Sequence, residues 1–175
     1  MVHMGDGSIT IRSNTNGELL LLIDSEREPL IEMELTKKHK IAGITYNGKC
    51  VYNRPYFFER LGHYLYKVDG TSFFQVNTDI SELIVADILK YVSANDIFYD
   101  LYCGVGYFSL RLAELCKQVI GIELNQKAIF NAIYNTSLND IDHVSFHVGK
   151  VEELIDKIPI KANKVVVDPP RSGLH

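Results

Sequence analysis

Long apolar runs are missing from this chain of 175 residues: none approaches the ~20 positions that cross a bilayer as a helix. The start, Met1-Val2-His3-Met4-Gly5, lacks the apolar core of a signal peptide. Two methionines so close together read as an appended start, and this stretch is set aside from the fold. Cysteine is scarce. Cys50, Cys103 and Cys116 are far apart and odd in number, which excludes metal-ligand spacing and a disulfide framework and suits a reducing compartment. Positive charge is not in surplus either: the formal net charge is -4, so no global basic field marks a nucleic-acid binder. A local basic patch on an acidic protein stays compatible with one, but the run Lys37 to Lys40 reads as a solvated helix end. Repeats and low-complexity tracts are absent. What is present, 46% hydrophobic and 23% charged residues, belongs to an ordinary globular protein of one domain, with or without a small appendage, expected in the cytoplasm.

Two rhythms divide the chain. Up to about Asn77 it reads as strands and turns. Ile9–Arg12 and Glu18–Asp24 flank Asn16-Gly17, and Ile41–Tyr46 and Lys49–Tyr52 flank Asn47-Gly48, two hairpin signals. Between them, Leu30, Met33, Glu34 and Lys37 behind Pro29 suggest a short helix over 29–40. His63–Val68 and Ser72–Val76 extend the β-like region across Asp69-Gly70. After Asn77 strands and helices alternate. Ile80, Leu83, Ile84, Ile88 and Tyr91 follow helical spacing, as do 107–115, 126–138 and 151–155. Ile97–Leu101, Val119–Glu123, Val144–Val148 and Lys164–Asp168 read as strands. This alternation predicts a parallel sheet with helices on both faces.

Chemistry concentrates at the ends of these strands. Asp100-Leu101-Tyr102-Cys103-Gly104-Val105-Gly106-Tyr107 carries an acidic residue out of a strand and through two glycines into a helix. Glycines let a backbone approach a ligand, and a helix start offers N–H groups. A dinucleotide fingerprint would need a third glycine where Ser109 stands. The acidic residue before the loop suits a cofactor bearing an amine and no pyrophosphate. The next strand ends in Glu123, placed to accept hydrogen bonds from both hydroxyls of a ribose. The fourth ends in Asp168-Pro169-Pro170-Arg171, where two prolines freeze the backbone and hold Asp168 in one pose. Ahead of the first helix, Gln75 in Ser72-Phe73-Phe74-Gln75-Val76-Asn77 sits among apolar neighbours, where a buried amide needs partners.

These segments, in this order, resemble the RNA 5-methyluridine methyltransferases, which act on transfer or ribosomal RNA. The likeness runs from about Ile41 to Leu174, its most specific parts being Phe74–Asn77, Asp100–Phe108 and Asp168–Gly173. It implies S-adenosyl-L-methionine as cofactor, with Gln75, Tyr102, Glu123 and Asp168 lining its site beside Asp100, Gly104, Gly106 and Tyr107. Gln75, Asp168 and Arg171 are expected at the substrate; Arg171, where methylases of exocyclic amines have an aromatic residue, points away from amine methylation. The family's reaction adds a cysteine thiolate to carbon 6 of uracil, and a glutamate later removes the carbon-5 proton. That cysteine lies in a Ser-Cys-Asn-Pro stretch beyond the fourth strand, which this sequence does not contain, and Cys103 inside the glycine loop is a poor substitute. Two departures stand out. Tyr107 replaces a frequent asparagine, and Lys150 stands where an acidic or amide residue often meets adenine.

The expectation is thus an α/β protein: a Rossmann-like methyltransferase core over 78–175, its parallel sheet truncated after the fourth strand, preceded by a small α+β segment over 1–77 that helps hold RNA. The open fourth strand is a candidate edge for self-association. Methylation of another carbon, such as carbon 5 of cytosine, and a non-catalytic cofactor- or RNA-binding module remain the competing readings.

Overall fold

Turn chemistry shapes the first part of the chain. In the computed structural model, which describes residues 2–3, 6–75, 77–170 and 173, β1 (Val2–His3) is followed by β2 (Gly7–Ser13) and β3 (Leu19–Ser25), an antiparallel pair joined through Gly17. β4 (Leu30–Ile31) pairs antiparallel with β1 and leads into α1 (Met33–Lys38). β5 (Ile41–Tyr46) and β6 (Lys49–Asn53) form the second hairpin, with Asn47 and Gly48 both at positive φ, 45° and 78°. β3 and β5 pair in parallel, giving the order β2-β3-β5-β6. Leu21, Ile23, Ile41 and Ile44 form the core of this sheet, with Leu35 of α1 packed against them. Gly43 permits a close crossing, because a Cβ there would lie 1.6 Å from the Arg54 carbonyl oxygen.

Two expectations change here. The helix expected over 29–40 is shorter, since Leu30 and Ile31 are drawn into pairing with Val2 and His3, residues set aside from the sequence reading. The β-like region expected to extend across Asp69-Gly70 pairs one strand earlier instead: β7 (Tyr56–Leu61) pairs with β8 (Tyr64–Asp69) around Gly62, φ 59°. Phe57, Glu59 and Leu61 of β7 alternate inward, a pattern hidden by a charged residue at a buried position. That charge is satisfied, as the Thr15 backbone N–H and hydroxyl both donate to Glu59. Residues 72–75 are not a strand, and Val76 lies outside the described residues.

The chain divides into two compact units, Met1–Arg60 with Lys67–Thr71, and Leu61–Tyr66 with Ser72–His175. The boundary thus falls earlier than the expected 77/78, and the β7–β8 hairpin contributes to both. In the second unit α2 (Thr78–Leu89) begins at Asn77, whose side chain accepts from the Ile80 N–H. There follow β9 (Ile97–Leu101), α3 (Tyr107–Ala113), β10 (Gln118–Glu123), α4 (Gln126–Leu138), β11 (Val144–Val148), α5 (Val151–Leu154) and β12 (Lys164–Val167). All four strands are parallel, in the order β11-β10-β9-β12. Tyr99, Leu101, Ile120 and Ile122 bury one face with Val151 and Ile158, while α3 and α4 pack on the sheet with α3 almost wholly buried.

The apolar residues at helical spacing do not mark the buried face of α2. Ile80, Leu83 and Ile84 are 54%, 70% and 46% exposed, and the helix instead buries Ser81 and Val85. Among the described residues, no helix is long and apolar enough to cross a membrane.

Candidate functional site

Strand order places the site. From β9 the chain steps outward to β10 and β11, then returns to put β12 on the other side of β9. A parallel sheet that reverses in this way opens a crevice at the carboxyl ends of its strands. The described residues form a cleft of about 890 Å³ there. Each strand end contributes: Tyr102 and Gly104 after β9, Glu123 and Leu124 at β10, Gly149 to Glu152 after β11, and Asp168 to Pro170 after β12. Phe73, Gln75 and Asn77 line it from the segment before α2.

The glycine bend forms because three of its residues take left-handed backbone. Tyr102, Gly104 and Gly106 have φ of 63°, 55° and 85°. Glycine carries this at no steric cost, whereas a tyrosine loses roughly 1–2 kcal/mol. Tyr102 is held by its hydroxyl, which donates to Glu152 Oε1 at 2.8 Å. Gly106 is doubly constrained, since a Cβ would also press on Leu110, Ala132 and Phe146 at 3.1–3.3 Å.

Glu123 is fixed from two sides. Gly104 N–H donates to its Oε2 at 3.2 Å, and Asn125 N–H to its Oε1 at 2.7 Å. Asn125 in turn caps α4, accepting from Lys127 and Ala128 N–H groups. Strand tip, glycine bend and helix start thereby share one network. Across the cleft, Gln75 Nε2 donates to Asp168 Oδ2 at 2.8 Å, so the two residues expected at both cofactor and substrate are brought together.

Other expected site residues lie elsewhere. Asp100 is fully buried and does not line the cleft; Ser109 Oγ donates to its Oδ2 at 2.6 Å, while its Oδ1 has no hydrogen-bond partner among the described residues. Burial pushes this carboxyl up to about 7, assisted by the charges of Asp168 and Glu123. Gly106 and Tyr107 are also absent from the lining. Tyr107 turns into an aromatic cluster with Tyr66, Phe74 and Phe108, where its hydroxyl donates to Glu82 Oε1 at 3.0 Å; Arg111 donates to the same oxygen at 2.5 Å. Glu82 thus ties α2 to α3. Arg171 lies outside the described residues. Burial raises the Cys103 thiol well above its ordinary value, which disfavours the thiolate. Among the described residues no side-chain group could hold a metal ion.

The sequence reading missed Glu152, Leu124 and Phe73. Position alone could have flagged the first two, since each lies within a few residues of a strand's carboxyl end. Among the described residues, Glu123, Glu152 and Asp168 give the lining three carboxylates against one cation, Lys150, an environment that favours a positively charged ligand.

The model of the family described as tRNA (Uracil-5-)-methyltransferase matches residues 31–175. The chain belongs to the tRNA (uracil-5-)-methyltransferase family. Family relatives include an uncharacterized RNA methyltransferase of Caldanaerobacter subterraneus subsp. tengcongensis, 38% identical over 94% of this chain and 42% of that protein. Another, from Nanoarchaeum equitans, is 42% identical over 99% of this chain and 38% of its own length. This family member therefore spans about two fifths of the length of these two relatives. Among solved structures, a Pyrococcus abyssi tRNA (uracil-54, C5)-methyltransferase in complex with S-adenosyl-L-homocysteine superposes with a TM-score of 0.77 and 26% identity, over 95% of this chain and 44% of that one. A Methanocaldococcus jannaschii tRNA m1G37 methyltransferase shares the fold, with a TM-score of 0.62 and 23% identity.

Proposed function

We propose that the protein to which this chain belongs transfers a methyl group from S-adenosyl-L-methionine to carbon 5 of a uridine in cytoplasmic RNA. The observation carrying this reading is the Glu123 carboxylate, held at the tip of β10 by Gly104 and Asn125 and lining the cleft. The lining fits the cofactor: carboxylates complement a sulfonium and an ammonium, Glu123 can accept from the ribose, and 890 Å³ lies in the range of small-molecule sites. The Pyrococcus relative carries the demethylated cofactor, which supports the same assignment here.

Bound there, the cofactor supplies an electrophilic methyl group. Glu123 would hold the ribose, while Asp168, tied to Gln75, would face the meeting point of cofactor and base. Asp100 anchors α3 through Ser109 from beneath the bend, acting on the cofactor only through the loop. Carbon 5 of uracil becomes nucleophilic only after a thiolate adds at carbon 6. Cys103 and Cys116 are buried with raised thiols, and the Ser-Cys-Asn-Pro stretch that carries the family's nucleophile is not in this sequence. The chain as it stands therefore binds cofactor without turnover.

Calorimetry with S-adenosylhomocysteine and, in parallel, NAD tests the cofactor: binding of the first alone is expected. Tritium transfer from labelled cofactor to RNA tests the rest. The full-length protein should label uridine rather than cytidine, and this chain alone should label neither. Robust turnover by the 175 residues overturns the division of labour proposed here.

A further inference from the structure

Tyr107 stands where the family frequently has asparagine, and its ring turns from the cleft into the interior, 5% exposed. Its surroundings join the two segments that run past the cofactor cleft. Phe73, Gln75 and Asn77 line the cleft just ahead of α2, and Tyr102 and Gly104 line it just ahead of α3. The segments adjoin: a Cβ on Gly104 would stand 3.9 Å from the Phe73 carbonyl oxygen. Behind them, Phe74 turns inward and meets the Tyr107 ring edge-on, centroids 5.8 Å apart, and Tyr66 packs against both rings at 5.6 Å. Glu82 closes the arrangement from the second turn of α2. One of its carboxylate oxygens accepts from the Tyr107 hydroxyl at 3.0 Å and from Arg111, one turn further along α3, at 2.5 Å. Burial pushes the Tyr107 hydroxyl up to about 12, so it remains a donor throughout the neutral range. Bonds to a charged acceptor, partly sheltered from water, hold geometry more firmly than neutral ones.

Resting on the cofactor assignment above, we infer that Tyr107 is a positioning residue: through Glu82 and Phe74 it clamps the start of α3 to the start of α2, and so sets the spacing between the Gln75 segment and the glycine bend that a bound cofactor needs. Each segment runs directly into one of the clamped helices. A slip of α2 against α3 therefore moves Gln75 relative to Gly104 and to Asp168, its partner at 2.8 Å. A displacement of about 1 Å is enough to spoil such a site. The clamp is this chain's own device, since neither the ring in the cluster nor the hydroxyl on Glu82 comes with the frequent asparagine.

The test is calorimetry with S-adenosylhomocysteine on the chain as it stands. Tyr107→Phe keeps the ring in its cluster and Arg111 on Glu82, and should lower the melting temperature by no more than a few degrees. Its affinity, measured well below that temperature, should nevertheless fall about three- to tenfold, the ratio that one hydrogen bond's worth of lost preorganisation corresponds to. Glu82→Ala should weaken binding at least as much. Glu82→Gln, whose amide oxygen can still accept from the hydroxyl, should restore it. A purely structural tie would lower the melting temperature and leave the affinities equal. Unchanged affinity in Tyr107→Phe, or a Glu82→Gln variant as weak as Glu82→Ala, overturns this inference alone. No binding of S-adenosylhomocysteine by the unaltered chain overturns the cofactor assignment and this inference with it.

Discussion

At the scale of single residues, two carboxylates in neighbouring positions have opposite fates. Glu123 lines the cleft with two backbone donors behind it. Glu123→Ala should weaken S-adenosylhomocysteine binding by about tenfold to a hundredfold in calorimetry, the loss of hydrogen bonds to a charged acceptor. Asp100 is sealed in. Between the ordinary carboxylate value of 3.8 and about 7, the native protein holds a proton there that the unfolded chain has released. Its contribution to stability therefore falls as pH rises through that window and is level above it. Asp100→Asn removes this dependence. The difference in unfolding free energy between the unaltered chain and the variant, from urea melts at pH 5 and pH 8, should shift against the unaltered chain at the higher pH by on the order of 1–3 kcal/mol. No change between the two pH values would show that Asp100 is ionised throughout.

At the scale of elements, caps and buried faces decide more than propensity. Asn125 caps α4 through two backbone N–H groups while its own N–H orients Glu123. Asn125→Ala removes the cap and leaves the N–H, so it should cost about 1 kcal/mol in chemical denaturation and disturb cofactor affinity little. The orientation of α2 gives a sharper contrast. Val85 is 1% exposed and Leu83 is 70% exposed. Val85→Ala should cost roughly 2 kcal/mol, and Leu83→Ala less than about 0.5 kcal/mol. Equal costs would mean that the periodic stripe, not Val85, faces the core.

At the scale of the whole molecule, binding and folding are linked. A ligand that occupies only the native state, at a hundred times its dissociation constant, stabilises by about 2.7 kcal/mol. S-adenosylhomocysteine should therefore raise the melting temperature of the chain by several degrees, and of Glu123→Ala much less at equal concentration; a thermal scan reads both.

The same scales separate what local sequence encodes from what it does not. Asn47-Gly48 turns where its residue types demand positive φ, Ile97–Leu101 and Gln126–Leu138 run over the stretches their periodicity gives, and the glycine bend sits between strand and helix. Each of these depends on residues next to one another, so composition and spacing suffice. Gln75 meeting Asp168, Tyr102 meeting Glu152, Tyr107 turning to Glu82 and β8 choosing β7 depend on partners brought together by packing. Asp100 shows the difference within one residue. Its place at a strand end is written in the chain, but its burial follows from the helix laid over it by tertiary packing, where Ser109 reaches it. Backbone preference is short-ranged and belongs to the sequence; burial and hydrogen-bond partnership are long-ranged, and folding alone assigns them.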